Sequence, residues 1–451
     1  MMKENDIIKK ANSILPSEAQ YNFCELEFLA LINFNMCTFT NCEKGTGREQ
    51  EKYFNPPELD VKGWITTVKN AGMKGVILNV KDVDGFCIWQ TEQTDHSVKN
   101  SPWLDGKGDV VRAVADECRE QDIKFGIYIS TYDLHESTFG TESYDKFFVS
   151  LLTELLTWYG DIFCVWFPKK TGPEHKYNWQ LYYETVRKLQ PEAVICDCGP
   201  DIRWVGHNGG VERKEEWSVV PYTLLNNAPV SRLVEPDLGS IRKLKKASDL
   251  VWYPPITYIP LRKGFYFHKQ EDTDIKMLSN ILDVYFRSVG NNGVFALCVS
   301  PDFFGKLDKK DVDSLFTLGA QLRVEFKTNF AAEGKFTSED EKDKAHGADK
   351  LGAENGYWHS GDKSKNISVT LDMGKVNFIN KIVLCENTKT GQQIEKFTLS
   401  YFFDGKWRKI YSGSTIGRKK ICLIEPTNAR RIRLDIKKTR GFATLKSFEV
   451  Y

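Results

Sequence analysis

Eight short apolar runs, rich in β-branched and aromatic residues and mostly separated by stretches of helical periodicity, govern how the first three quarters of this 451-residue chain can fold. They lie at 29–34, 75–80, 124–130, 162–167, 193–198, 217–222, 250–255 and 293–299. A run that is apolar at every position, rather than at every second one, is what a parallel strand buried on both faces requires. The clearest intervening helix covers 144–160, where Phe148, Leu151, Leu152, Leu155, Leu156 and Tyr159 recur at three- and four-residue intervals. Others are expected over 64–71, 110–121, 179–190, 275–289 and 311–326. Eight strands in this alternation predict an α/β fold of the (β/α)8 barrel type rather than an open sheet. The helical signal is weakest between the sixth and seventh runs, where 226–248 reads mostly as loop.

Beyond 326 the period changes. Short alternating segments at 379–384, 397–403, 420–425 and 431–436, with turn signals such as Asp404-Gly405, predict a second, all-β domain. The expected division is 1–327 for the barrel and 328–451 for the β domain. The second part carries 23 Lys and Arg against 15 Asp and Glu, net +8, and the first carries 39 against 46, net −7. Two readings stand: opposite charge helps the domains dock, or the basic domain binds an acidic polymer. The whole chain, at +1, has no general attraction for nucleic acid or anionic lipid. No apolar run approaches the roughly 18 residues that span a bilayer. The N-terminal segment has no uninterrupted apolar stretch of the secretory type, as expected of a cytoplasmic chain or of one whose export signal has been removed. Eleven cysteines, an odd number scattered over a long chain, read as buried free thiols.

In a barrel of this kind the chemistry sits at the C-terminal ends of the strands. Those positions carry Asn33, Asn35 and the nearby loop residue Glu43, then Lys81, Asp82 and Asp84, then Asp133 and His135, followed by Trp166, Phe167 and Pro168, then Asp197, then Ile256 and Tyr258. Tryptophan beside carboxylates suits a sugar, whose apolar face stacks on indole while its hydroxyls take hydrogen bonds. Phe, Tyr and Trp together make 13% of the chain, which favours such a pocket.

Longer motifs sharpen this reading. Phe54-Asn55-Pro56 through Trp64, the segment KDVDGFCIWQTEQTDHSVKNSPWLDGKGDVV at 81–111, KFGIYISTYDLH at 124–135, YNWQLYYETVRKLQPEAVICDCGPDIRWVG at 177–206 and SVGNNGVFALCVSPDFFGKLDKKDV at 288–312 resemble glycoside hydrolase family 29, the α-L-fucosidases, over about residues 23–326. The resemblance implies a retaining (β/α)8 glycosidase in which an Asp attacks the anomeric carbon and a second carboxyl serves as acid and then base, the two about 5–5.5 Å apart. The chain departs from the family pattern at the reacting positions. Where the family's fourth strand reads Trp-Phe-Asp-Gly, with Asp the nucleophile, this sequence has Trp166-Phe167-Pro168-Lys169. Where related sequences read Trp-x-Pro-x-Glu-x-Asp at the seventh strand, with Glu the acid/base, it has Trp252-Tyr253-Pro254-Pro255-Ile256-Thr257-Tyr258. The family's Lys-His-His-Asp-Gly-Phe is Lys81-Asp82-Val83-Asp84-Gly85-Phe86, and a first-strand His is Asn33.

No catalytic residue is therefore expected intact. The residues left to hold substrate are Asn33, Glu43, Lys81, Asp82, Asp84, Trp89, Asp133, His135, Trp166, Asp197 and Arg262. Each has a plainer alternative: Asp84 and Asp133 as loop caps, His135 as a structural hydrogen-bonding group, Asp82 and Asp197 as ion-pair partners. Cys196-x-Cys198 has the wrong spacing for zinc or a redox dithiol, and no metal or cofactor is expected.

The C-terminal part resembles, more loosely, the discoidin or factor V/VIII type C fold, a jelly roll of the galactose-binding-like class, through Tyr357-Trp358, the run 367–371 followed by Asp372-Met373-Gly374, Arg431-Ile432-Arg433-Leu434 and Phe448-Glu449-Val450-Tyr451. Trp358 and Trp407 are its candidate loop aromatics. Three functions remain open: a non-hydrolytic or strongly impaired protein that binds glycan, which the resemblance implies is fucosylated; a working glycosidase with relocated carboxylates, Asp82 or Asp84 with Asp197; and a structural role without sugar. The family resemblance suggests an exported, periplasmic or extracellular setting.

Overall fold

The computed structural model describes residues 4–168, 175–205, 215–224, 238–268, 270, 274–353, 355–361 and 367–451. Lys169, Gly206 and the 226–237 part of the expected loop fall outside them. Strand β1 (Phe28–Asn33) shows how the barrel is built: every residue is buried, with Leu29 and Leu31 in the barrel's interior cluster and Phe28, Ala30 and Ile32 in the layer between barrel and helices. Strands β2 (Gly75–Lys81), β3 (Lys124–Ile129), β4 (Cys164–Phe167), β5 (Val194–Asp197), β6 (Arg203–Trp204), β9 (Pro255–Pro260) and β10 (Val294–Val299) complete a parallel sheet in the order β5-β4-β3-β2-β1-β10-β9-β6. A parallel bridge from Cys196 to Ile202 brings its two ends together, so the eight strands form a nearly closed barrel.

Helices follow most strands, and their starts are set by side chains that cap free amides. Asp60 accepts from Gly63 N at 2.9 Å to open Val61–Asn70, Asp109 from Arg112 N at 2.7 Å to open Val110–Glu120, and Asn178 from Leu181 N at 3.2 Å to open Trp179–Leu189. The long helix Glu142–Trp158 buries Tyr144, Phe148, Leu151, Leu152, Leu155 and Leu156 on one face, the stripe expected from the spacing.

Two strands differ from expectation. The apolar runs near 219 and 250 do not enter the barrel: β7 (Val219–Pro221) and β8 (Leu250–Trp252) pair antiparallel with each other. Their apolar side chains fill a satellite core with Ile7 and Ala11 of the N-terminal helix Glu4–Ser13 and with Ile241 and Leu244. The sixth barrel strand is instead the two-residue β6, reached directly from β5 through a turn in which Asp197 takes φ +63°. The seventh is β9, which starts only after the β8 run has ended.

The second domain is antiparallel. Its main sheet runs in the order β11 (Lys335–Thr337), β13 (Ile367–Cys385), β16 (Lys420–Thr439), β14 (Ile394–Phe403), β15 (Lys406–Gly413), with β18 (Ser447–Val450) on β13, while β12 (Trp358–His359) pairs with β17 (Thr444–Leu445). The β14–β15 hairpin closes through Asp404 and Gly405, both at positive φ, the pair of left-handed residues that a two-residue hairpin turn needs.

This domain docks on the N-terminal end of the barrel. Ile421 N donates to Gly290 O at 3.0 Å, Arg418 N to Asn292 Oδ1 at 2.7 Å, and Ser218 N to Gln392 Oε1 at 2.9 Å. Arg418 and Lys419 both reach Glu27, at 2.8 and 2.6 Å, and Lys381 pairs with Glu325, Lys446 with Glu25 and Lys389 with Glu18. In each pair the base comes from the C-terminal domain and the acid from the barrel, the polarity that the charge split favours.

Candidate functional site

The C-terminal ends of β1, β2, β3 and β9 converge on one hydrogen-bonded cluster. Lys81, the last residue of β2, places Nζ 2.8 Å from Asp133 Oδ2, with both side chains almost fully enclosed. Asp133 Oδ1 also accepts from the amides of His135 and Glu136 at 2.9 Å each, closing the loop after β3. Burial works to raise the Asp133 carboxyl, but Lys81 and these amides overcome it and hold it below its ordinary range. His135 Nδ1 donates to Gly47 O at 2.8 Å, and its ring stacks on that of His96 with centroids 3.9 Å apart.

The glycine-flanked loop carrying Glu43 folds down onto the same cluster. A Cβ at Gly45 would stand 2.5 Å from the Asp84 Cβ, so only glycine permits this approach. Glu43 accepts from Phe265 N at 3.0 Å, Tyr266 N at 3.2 Å and His268 Nε2 at 2.7 Å, and thereby ties the first loop to the loop following β9. That loop crosses the mouth. Tyr266 is 2% exposed, and its hydroxyl is shared among the Asp82 carboxylate, Asn35 Nδ2 at 2.9 Å and Asn79 Nδ2 at 3.1 Å. Asn33 Nδ2 donates to Phe265 O at 2.9 Å, and the Phe265 ring packs edge-on against Tyr258 at 5.5 Å. Below it an aromatic wall forms within the barrel: Tyr258 is stacked on Trp204 at 5.4 Å and meets Trp166 at 5.5 Å, and Trp166 Nε1 donates to Asp197 Oδ2 at 3.4 Å.

Asp84 is wholly buried. Burial, with Asp82 adding its charge, pushes its carboxyl up to about 7, although Phe86 N donates to it at 3.0 Å. It holds a proton over much of the acidic range.

The cluster thus brings together Asn33, Glu43, Lys81, Asp82, Asp84, Asp133 and His135, while Trp166 and Asp197, bonded to each other, stand near the C-terminal ends of β4 and β5. Trp89 and Arg262 point elsewhere. Trp89 belongs to the layer between barrel and helices and donates through Nε1 to Glu154 at 3.0 Å. Arg262 Nε is held by Asp311 at 2.9 Å, with Asp308 at 3.3 Å, at the start of the last barrel helix Lys309–Glu325. Pro168 is buried directly after β4. Ile256 sits in register with Val294, the first residue of β10, near the N-terminal end of the barrel rather than at its mouth; the later start of β9 accounts for the shift. Sequence reasoning missed Tyr266, Asn79 and His96. Only His96 carried a signal, lying within the 81–111 motif.

Nine of the eleven cysteines are buried and none is in a disulfide. Among the described residues no group of three or more His, Cys, Asp or Glu is placed to hold a metal ion, and no helix is long and apolar enough to cross a membrane.

Comparison with known proteins finds relatives along nearly the whole chain. The alpha-L-fucosidase family model matches residues 19–326 and the F5/8 type C domain model residues 332–448. Alpha-L-fucosidase 1 of Arabidopsis thaliana is 32% identical over 441 residues, covering 94% of this chain and 85% of its own. A solved structure from Bacteroides ovatus superposes with a TM-score of 0.88 at 33% identity, over all of this chain and 76% of that one. A Ruminococcus gnavus fucosidase solved in complex with fucose shares the fold, with a TM-score of 0.87 at 24% identity over 97% and 95% of the two chains. The chain belongs to the alpha-L-fucosidase family, glycoside hydrolase family 29, and carries an F5/8 type C domain behind its barrel.

Proposed function

We propose that this protein binds fucosylated glycan and has lost most of the hydrolytic power of its family. One observation carries the reading: the two strands on which the family pattern places its reacting carboxyls hold none. Strand β4 reads Cys-Val-Trp-Phe and runs into Pro168, and β9 reads Pro-Ile-Thr-Tyr-Ile-Pro. Proline cannot attack an anomeric carbon, and the mouth end of β9, Tyr258-Ile259-Pro260, offers no carboxyl to donate a proton. The acids that remain are engaged: Asp133 with Lys81, Glu43 with backbone amides and His268, Asp82 with Tyr266. Retaining hydrolysis needs an ionised nucleophile and a proton donor about 5–5.5 Å apart, facing one sugar carbon. The wall of Trp166, Tyr258 and Trp204 supports sugar recognition, as does the fucose held by the Ruminococcus gnavus relative. The second domain enters this reading as a docked support: Trp358 is fully buried in its core, and the Arg433 guanidinium covers the Trp407 ring at 4.6 Å.

The test is hydrolysis of an aryl α-L-fucoside by the full chain at high protein concentration, alongside calorimetric titration with fucose. Loss of an essential nucleophile lowers rates by several orders of magnitude, so turnover far below the ordinary ~1–1000 per second is expected together with measurable binding. Turnover within that range would overturn the reading.

The Asp84 carboxyl, pushed up to about 7, favours one competitor: a relocated proton donor working with Asp82 or Asp197. Activity on any glycoside that disappears in both Asp84→Asn and Asp82→Asn would establish it.

A further inference from the structure

The short helix Met36–Thr40, directly after β1, ends with Asn41 in the left-handed conformation at φ +55°. Cys42 N then donates back to Cys37 O at 3.2 Å. This six-residue closure is the helix end in which the side chain following the left-handed residue falls onto the one five positions earlier. In most proteins that contact is between hydrocarbon groups. Here it is between two thiols, with Cys37 Sγ and Cys42 Sγ 3.4 Å apart.

The two thiols differ in environment. Cys37 is fully buried and lies 3.8 Å from Asp84 Oδ2, whereas Cys42 is partly open to solvent and next to Glu43, with the Thr40 hydroxyl 3.2 Å away. The contact with Cys37 and the Thr40 hydroxyl lower the Cys42 thiol to about 6 against the opposing effect of burial. Cys37 is moved the opposite way and keeps its proton. A partly exposed thiol touching a second, enclosed thiol is the arrangement in which an attacking and a resolving cysteine operate. The barrel offers an internal contrast. Cys164 and Cys196 are also in contact, at 3.3 Å, but both are enclosed, and burial holds Cys196 far above the ordinary thiol range.

We propose that Cys37 and Cys42 are a modification site on the rim of the barrel mouth, converted by hydroperoxides into an intrachain disulfide. The Cys42 thiolate attacks the peroxide; an S–O bond forms, the O–O bond breaks, and the alkoxide leaves as alcohol after taking a proton. Cys37 sulfur then attacks the Cys42 sulfenic acid, the S–S bond forms, and the hydroxyl leaves as water with the Cys37 proton. Two thiols and one hydroperoxide thus give one disulfide, one alcohol and one water. The sulfurs need to close by only roughly 1.3 Å to reach bonding distance, and the backbone on both sides is already hydrogen-bonded. The bridge removes the thiol facing Asp84 and pins the start of the loop that carries Glu43.

The experiment uses the full chain, exposed to tert-butyl hydroperoxide, denatured in N-ethylmaleimide and digested with trypsin. The peptide 11–44 contains Cys24, Cys37 and Cys42. It is expected to lose two hydrogens, with Cys37 and Cys42 bridged and Cys24 alkylated. Without oxidant at neutral pH, iodoacetamide should label Cys42 more than roughly tenfold faster than Cys24. In Cys42→Ser the bridge should vanish. Cys37→Ser, if it folds, should leave a sulfenic acid on Cys42 that dimedone traps. A wild-type peptide that keeps all three thiols alkylatable, or that bridges through Cys24, overturns the proposal, as does equal labelling of Cys24 and Cys42.

Discussion

Replacing Glu27 with glutamine should weaken the union of the two domains more than any change of one surface charge. The Glu27 side chain is 15% exposed and is shared by Arg418, 7% exposed, and Lys419, 21% exposed. Truncating one member of a buried pair leaves the other as an uncompensated charge, at about 3–5 kcal/mol. Lys419 can turn to water, so the lower end applies, about 3 kcal/mol in the variant Glu27→Gln. The control is Glu18→Gln: its pair with Lys389 spans 3.3 Å between side chains 62% and 52% exposed, and its removal should cost about 0.5 kcal/mol or less. Urea unfolding at neutral pH, followed by tryptophan fluorescence, measures both. Acid provides a second reading. Burial works to raise the Glu27 carboxyl, but Arg418 and Lys419 hold it well below its ordinary range. Its contribution is therefore complete above the unfolded value of about 4.3 and is lost as pH falls further, so the gap between wild type and Glu27→Gln should narrow below about pH 4. Equal losses in the two variants, or a gap that widens in acid, would refute the reasoning.

Two further outcomes can be checked. Tyr266→Phe removes the hydroxyl shared by Asp82, Asn35 and Asn79 and should destabilise the chain by about 1–3 kcal/mol in the same unfolding assay. Asp84, held up to about 7 by burial, binds its proton more tightly folded than unfolded; its folded state loses ground as pH rises from about 4 to 7. Asp84→Asn should therefore be more stable than wild type by about 1–4 kcal/mol at pH 8, a difference that shrinks towards pH 4 in a pH series of melts.

The barrel was legible where strands are buried on both faces. β1 to β5 and β10 read as continuous apolar runs because one set of side chains fills the barrel and the other meets the helices. β6 was not legible, since its two residues include Arg203, whose charge is buried only because Tyr253 O and Glu216 receive it. The runs near 219 and 250 misled for the same reason that they are apolar: they bury a satellite core that mimics a barrel strand. At the mouth, Lys81 and Asp133 were legible as strand-end residues that also fall within family motifs, and Glu43 as the nearby loop residue after the first strand. Tyr266 had no such signal, and its link to Asp82 spans 184 residues of chain. Trp89 and Arg262 were of the right chemical type for sugar binding, but their polar atoms serve Glu154 and Asp311.

The second domain grips the barrel at Glu27 and at Gly290–Asn292, immediately before β1 and β10 begin, while Pro168 and the loops carrying Glu43 and Tyr266 lie at the other pole. That separation divides the evolutionary freedom of the chain in two. Pro168 takes part in none of the interdomain hydrogen bonds, so a change there leaves the docking of the two domains intact. Changes at Glu27 or Asn292 would be purged whether or not the protein still touched a sugar. Across descendants of this sequence, the loops around the mouth should therefore diverge while the docking residues persist, and a lineage could exchange one ligand for another without rebuilding its scaffold.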